Sequence, residues 1–141
     1  MAAFSSQKFN QDTLAAQGER LAQEHYRKLG FHLLATNLFN SRGKRIGEID
    51  FIATFGQAIH FVEVKTRQAG RPSPFGSARE AVDIYKQRKL RKLVYWFLLK
   101  HPYYQTFRPQ IDVCLVEVSH LDKTQYSVTI ILHAVGDDLN G

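Results

Sequence analysis

The chain has 141 residues, 44% of them hydrophobic and 23% charged, with 19 Lys and Arg against 13 Asp and Glu for a net charge of +6 and a pI near 9.6. That is the size and composition of one soluble globular domain, and the basic surplus points to a polyanionic partner. No apolar run approaches the roughly 20 residues that span a bilayer. Residues 1–10 lack the basic-then-apolar pattern of a signal peptide, and a lone cysteine, Cys114, excludes an internal disulfide or a multi-cysteine zinc site. A cytoplasmic protein with no membrane partner is therefore expected.

Residues 1–11 read as a loose tail, residues 12–136 as a single domain and residues 137–141 as a second tail. Leu14, Ala15, Leu21, Ala22, Tyr26 and Leu29 recur near helical spacing, with Asp12 or Thr13 as cap and Gly30 as stop. Gly18 inside that helix hints at a close backbone approach. Phe31 to Asn37 reads as a short strand, and Asn40 to Lys44 as a polar turn. Two alternating segments follow, Gly47-Glu48-Ile49-Asp50-Phe51-Ile52 and Phe61-Val62-Glu63-Val64-Lys65, with Phe55-Gly56-Gln57 between them. They predict a β-hairpin.

Arg67 to Gly76 is expected to be an irregular loop bordering the hairpin. A second helix carries Leu90, Leu93, Val94, Phe97 and Leu98 and ends at His101-Pro102. Its start is open: Ser77 and Glu80 fit a capping box, and Asp83 fits a cap for a helix beginning at Ile84. Strands at Ile111 to Val118 and Val128 to Val135 complete an α-β-β-β-α-β-β order, an α/β domain with a central mixed sheet flanked by helices.

The hairpin carries the chemistry. Period-two alternation puts Glu48 and Asp50 on one face of their strand, about 7 Å apart, and Glu63 and Lys65 likewise on theirs. A two-residue turn at Phe55-Gly56 makes paired positions sum to 111; a four-residue turn at Phe55 to Ala58 makes them sum to 113. Either odd sum keeps all four residues on one face. Three carboxylates so placed repel one another unless a cation or basic groups neutralise them, and a hard cation takes such oxygen ligands. The competing reading is an alternating solvent-facing strand in which Glu63 and Lys65 form an ordinary ion pair.

Elsewhere, Lys86-Gln87-Arg88-Lys89-Leu90-Arg91-Lys92 opens the second helix, and no acid falls between Ile84 and His101. This is either a solvated face or a phosphate-contacting one, with Tyr95 available for stacking. Glu19, at the edge of the first helix's apolar stripe, reads as an ordinary surface residue on spacing alone. Asp112, inside an apolar strand, is expected to pair with an Arg or a backbone amide, or to orient the second helix. The six histidines show no metal-ligand spacing, and no P-loop, G-x-G-x-x-G or G-x-S-x-G string is present.

Gly18-Glu19, Gly47-Glu48-Ile49-Asp50, Phe61-Val62-Glu63-Val64-Lys65-Thr66-Arg67, Phe75-Gly76, Lys86-Gln87, Phe107-Arg108 and Asp112, in this order, resemble the YraN-like family of predicted endonucleases. The resemblance covers roughly Gly18 to Val135. It implies a restriction-endonuclease-like core of the PD-(D/E)xK superfamily, similar in layout to archaeal Holliday-junction resolvases. It implies that Asp50 and Glu63 bind the metal and that Lys65 is the catalytic lysine. Glu19 corresponds to the helix-borne acid of resolvase-like members, Gln87 to a polar helix residue near the site, and Glu48 belongs to the family string.

The expected activity is a Mg²⁺- or Mn²⁺-dependent endonuclease acting on DNA, selective for branches or single-strand junctions rather than for sequence. Asp50, Glu63, the Val64 carbonyl and Glu48 would serve the metal, with Glu19 acting through water. Arg42, Lys44, Arg45, Arg67, Lys86, Gln87 and Lys89 would hold the nucleic acid. The alternative is a non-catalytic nucleic-acid-binding or adaptor domain on the same fold. Whether the protein acts as a homodimer is left open.

Overall fold

The computed structural model describes residues 13–36, 49–69, 84–122 and 124–131, with side chains at all of these except 84–87. The proposed tails, the turn at Asn40 to Lys44, Gly47, Glu48 and the capping candidates Ser77, Glu80 and Asp83 lie outside the described residues.

Helix α1 (Leu14–Lys28) starts at Thr13, whose Oγ1 accepts the Ala16 N–H at 3.2 Å. This satisfies one of the backbone donors left open at a helix start. His25, Arg27 and Lys28 lie in its last turn, where the helix dipole favours cations, and Gly30 follows at φ 98°, a conformation glycine adopts without strain. Strands β1 (His32–Thr36), β2 (Phe51–Phe55) and β3 (Ala58–Ala69) lead to helix α2 (Ile84–Lys100). Helix α2 is described from Ile84 onward, and both starts considered for it rest on residues outside the described set. A 3₁₀ turn at Pro102–Thr106, which the sequence did not announce, precedes β4 (Arg108–Ser119) and β5 (Tyr126–Ile131).

The five strands form one sheet in the order β1-β2-β3-β4-β5, antiparallel throughout except for β3 and β4, which run parallel. The fold is thus α/β, a mixed sheet flanked by two helices, consistent with a restriction-endonuclease-like core. Each helix covers one face. Ala22 and Tyr26 of α1 pack with Phe51, Ala53, Val62, Cys114, Val116 and Val118. Leu90, Leu93, Val94 and Phe97 of α2 pack with Ile49, Ile52, Ile59, Phe61, Ile111 and Val113. Burying each of these larger side chains contributes about 1.5–3 kcal/mol.

Two expectations are corrected. Arg67 is not in a loop: β3 continues to Ala69, because parallel pairing to β4 extends from Ala58↔Arg108 to Ala69↔Ser119 and gives each residue a ladder partner. The last strand begins at Tyr126 rather than Val128, paired to Val118; residues 132–135 of its expected span lie outside the described residues.

Candidate active site

Because β3 and β4 are parallel, α2 must return from the end of one strand to the start of the other, and so runs antiparallel to both. The Phe97 ring sits 5.5 Å from the Phe61 ring, near the start of β3. The first turn of α2 therefore lies toward the C-terminal half of the strand. α1 runs the same way: Tyr26 reaches Asp112, which pairs with Val62, while Gly18 lies against Thr66. The approach at Gly18 is so close that a Cβ there would come within 1.8 Å of Thr66 Oγ1. This is the physical reason for a glycine in mid-helix. Both helix starts thus lie toward the C-terminal half of β3, next to the mid-strand residues Glu63, Val64 and Lys65.

Along β3 burial is complete from Ala58 to Glu63 and partial from Val64 to Ala69. The candidate residues occupy that transition. Glu63 is 1% exposed, and its Oε1 lies 3.0 Å from Lys65 Nζ; the Lys65 side chain is 28% exposed. Both residues alternate with Phe61 and so face α2.

The hairpin register sums to 113, as in Phe51↔Val62 and Phe55↔Ala58. The turn is Gly56-Gln57, with Gly56 at φ 57°. Strict alternation nevertheless fails at the start of β2. Ile49 and Ile52, three residues apart, both face α2, and the Asp50 N–H donates to the same Val62 whose ladder partner is Phe51 (3.0 Å). Two residues thus oppose one, the arrangement of a β-bulge, which re-aims a side chain where a strand begins. Asp50, 9% exposed, uses Oδ2 to accept the Val64 N–H at 2.7 Å. A strand N–H points along the sheet rather than off it, so this carboxylate occupies the ladder position beyond Phe51. The expectation that Asp50 simply shares a face with Glu63 is corrected accordingly: Asp50 sits at the edge of β3, beside the face that carries Glu63 and Lys65.

The other candidates are dispersed. Glu19, half-buried, follows Gly18 on the α1 side of the sheet, the side opposite Glu63 and Lys65. Arg67 is half-buried and donates to Glu117 Oε1 at 3.0 Å, so it is held by a carboxylate on the neighbouring strand. Lys89 is exposed on α2. Lys86 and Gln87 fall in the first turn of α2, and their side chains lie outside the described set, as do Glu48, Arg42, Lys44 and Arg45 entirely.

Asp112 has different partners from those expected. It is 0% exposed, and its Oδ2 accepts Tyr26 O–H at 2.9 Å and lies 2.6 Å from His60 Nδ1. Its Oδ1 is buried with no hydrogen-bond partner among the described residues. Burial, with the nearby Asp112 carboxylate, pushes the Tyr26 phenol far above its ordinary value. Burial, reinforced by Asp112 and then Asp50, pushes the Cys114 thiol up to about 12. The sequence offered one signal for this network: Tyr26 lies on the apolar stripe of its helix, where a buried hydroxyl needs an acceptor.

Oxygen donors suited to a hard cation are present at the edge of β3: the Asp50 carboxylate, the Val64 carbonyl on the same edge as the N–H that Asp50 holds, and the adjacent Glu63. That set fits Mg²⁺, which keeps several waters and uses one or two carboxylates. Among the described residues no group of three or more His, Cys, Asp or Glu side chains is arranged to hold a metal ion.

The model of the uncharacterised protein family UPF0102 matches residues 18–116. A UPF0102 protein of Caldanaerobacter subterraneus subsp. tengcongensis is 35% identical over 127 residues, covering 90% of this chain and 98% of that protein. One from Mycolicibacterium vanbaalenii is 38% identical over 105 residues (74% and 80%), and one from Clostridium botulinum 32% over 117 residues (83% and 89%). The matched segment contains Glu19, Asp50, Glu63, Lys65 and Asp112.

Proposed function

The chain belongs to the uncharacterised protein family UPF0102, and from that footing and the site geometry we propose that it is a divalent-metal-dependent endonuclease acting on DNA. The observation that carries the reading is the Glu63–Lys65 pair, a nearly buried carboxylate joined to an ammonium that reaches solvent, next to an Asp50 carboxylate held in place by a backbone N–H. A purely structural ion pair has no need of the bulge that brings Asp50 to the same edge.

In this reading Asp50, Glu63 and the Val64 carbonyl hold Mg²⁺ or Mn²⁺, with Glu48 and a water-mediated Glu19 as further contributors. The bound cation would supply Lewis-acid polarisation of a phosphoryl oxygen. The chain's own residues do the rest. The Val64 N–H fixes the Asp50 carboxylate, so no reorganisation is required of it. Lys65 holds the attacking water and offsets the negative charge that grows on the phosphoryl oxygens as water adds to phosphorus and the ester P–O bond breaks. Glu63 keeps the ammonium oriented from below. In this reading selectivity falls on DNA shape, at branches or single-strand junctions. Arg42, Lys44, Arg45, Lys86, Gln87 and Lys89 would hold the flanking backbone.

The test is cleavage of a panel of branched, nicked and linear DNAs with Mg²⁺ or Mn²⁺. Glu63→Gln and Lys65→Ala should each abolish cutting while leaving DNA binding in place. Millimolar Mn²⁺ should raise the wild-type melting temperature, and Asp50→Asn should remove most of that gain. A wild type that binds DNA but cuts none of the panel supports the non-catalytic alternative.

A further inference from the structure

Between Ile84 and Lys100, α2 carries six basic residues and no acid. Its core side consists of Leu90, Leu93, Val94 and Phe97, all buried. At 100° per residue, Arg88, Lys92, Tyr95 and Leu99 fall within a strip of about 60° on the opposite side. All four are exposed, Tyr95 at 68%. Lys89 and Lys100 flank the strip, with a half-buried Trp96 between them. Among the described residues the Tyr95 ring packs on no other ring. The strip is about 17 Å long, and it starts at the helix end nearest Glu63 and Lys65.

We infer that this strip is a track for single-stranded nucleic acid leading away from the candidate site. It rests on the proposed reading that the polyanion served by the site is nucleic acid, and deepens it by specifying an unpaired strand next to the point of cleavage. The cations match phosphates. A large aromatic ring set among them offers a stacking platform, which only unpaired bases can use; in duplex DNA the base faces are already covered. A strip of 17 Å accommodates about five nucleotides at the roughly 3.4 Å per-strand spacing. An anionic membrane surface fits less well. A helix lying in a bilayer interface needs a free apolar face, and that of α2 is used against the sheet.

Binding measured in EDTA isolates the track from any chemistry. Fluorescence anisotropy with a 20-residue oligothymidylate and with a 20-base-pair duplex gives the strand preference. Wild type should bind the single strand more tightly than the duplex. Tyr95→Ala should weaken single-strand binding about tenfold, within the range expected for losing one stacked base, and duplex binding less than twofold. Tyr95→Phe should bind as wild type. Arg88→Gln with Lys92→Gln should lower the slope of log K against log salt on the oligothymidylate by about 1.4, from about 0.7 per lost phosphate contact.

An unchanged single-strand affinity in Tyr95→Ala overturns the track, as does an equal loss on both probes. So does Tyr95-dependent binding to phosphatidylglycerol vesicles with no single-strand preference. The two readings fail separately. A protein that grips oligothymidylate through Tyr95 but cuts nothing keeps the track and removes the endonuclease. One that cuts branched DNA while Tyr95→Ala binds and cuts like wild type removes only the track.

Discussion

The two faces of the sheet each bury a carboxylate, and they handle it differently. On the α1 face, Asp112 is sealed in and bridged to Tyr26 of the helix and His60 of the neighbouring strand. On the α2 face, Glu63 is equally buried, but its partner is Lys65, whose ammonium reaches the half-buried end of β3. A sealed network can only join elements together. A buried acid whose partner meets solvent can change partner when a ligand or cation arrives. The difference teaches that burial by itself does not mark a functional acid; what matters is whether the acid's counterpart has a route to the outside.

That contrast predicts unequal responses to the same isosteric change. Asp112→Asn removes a charge that two buried groups rely on and should cost about 2 kcal/mol, within the range for a charge-assisted hydrogen bond. Glu63→Gln should cost under about 1 kcal/mol, because Lys65 can swing its ammonium into water. Urea denaturation of the two variants beside wild type measures both. Equal costs would break the comparison and return Glu63–Lys65 to the status of structural glue.

The α1 face should also show itself in alkali. The Cys114 thiol is raised from its ordinary 9.0 to about 12 and the Tyr26 phenol is raised further still, so both stay protonated in the fold. Above pH 9 the unfolded chain gives up these protons first and binds fewer than the native state, so stability falls as pH rises. The contribution is complete below pH 9 and, for the thiol, is lost progressively up to about pH 12. Melting temperatures from pH 8 to 11 should therefore decline, and Cys114→Ala should flatten the decline whatever its effect on stability at pH 8. An identical slope in the variant would mean that other groups govern the alkaline limb.

Much of this was legible in the sequence because it rested on local signals. Thr13 and Gly30 bracket α1, and the glycine at position 18 did mark a close approach. The two helices, the hairpin and the α/β class follow from periodicity. The misses all depend on partners distant in the chain. Arg67 reads as loop because its neighbours are polar and glycine follows at position 70; only pairing with Glu117 on β4 keeps it in a strand. Asp112 could not be matched to Tyr26, 86 residues away. The bulge at Asp50 is invisible to a period-two pattern, since alternation assumes the regular ladder that the bulge interrupts.

The smallest effect expected is at Arg67 and Glu117, and it sharpens the view of the α2 face as the responsive one. The pair is half-exposed, so a double-mutant cycle should give a coupling of at most about 1 kcal/mol to stability. Its consequence for binding should be larger than its consequence for folding. While Glu117 accepts from Arg67 Nη2, that guanidinium has part of its donor set committed, and the local charge is balanced. Glu117→Gln removes the competing carboxylate, leaving Arg67 with a neutral neighbour beside the candidate site. Affinity for DNA should then rise by severalfold and the salt slope should steepen by up to about 0.9, one additional phosphate contact on duplex DNA. Arg67→Ala should bind no more tightly than wild type, and adding it to Glu117→Gln should cancel most of the gain. If Glu117→Gln tightens binding just as much in the Arg67→Ala background, the gain comes from lowering negative charge in general, and Arg67 contacts no phosphate.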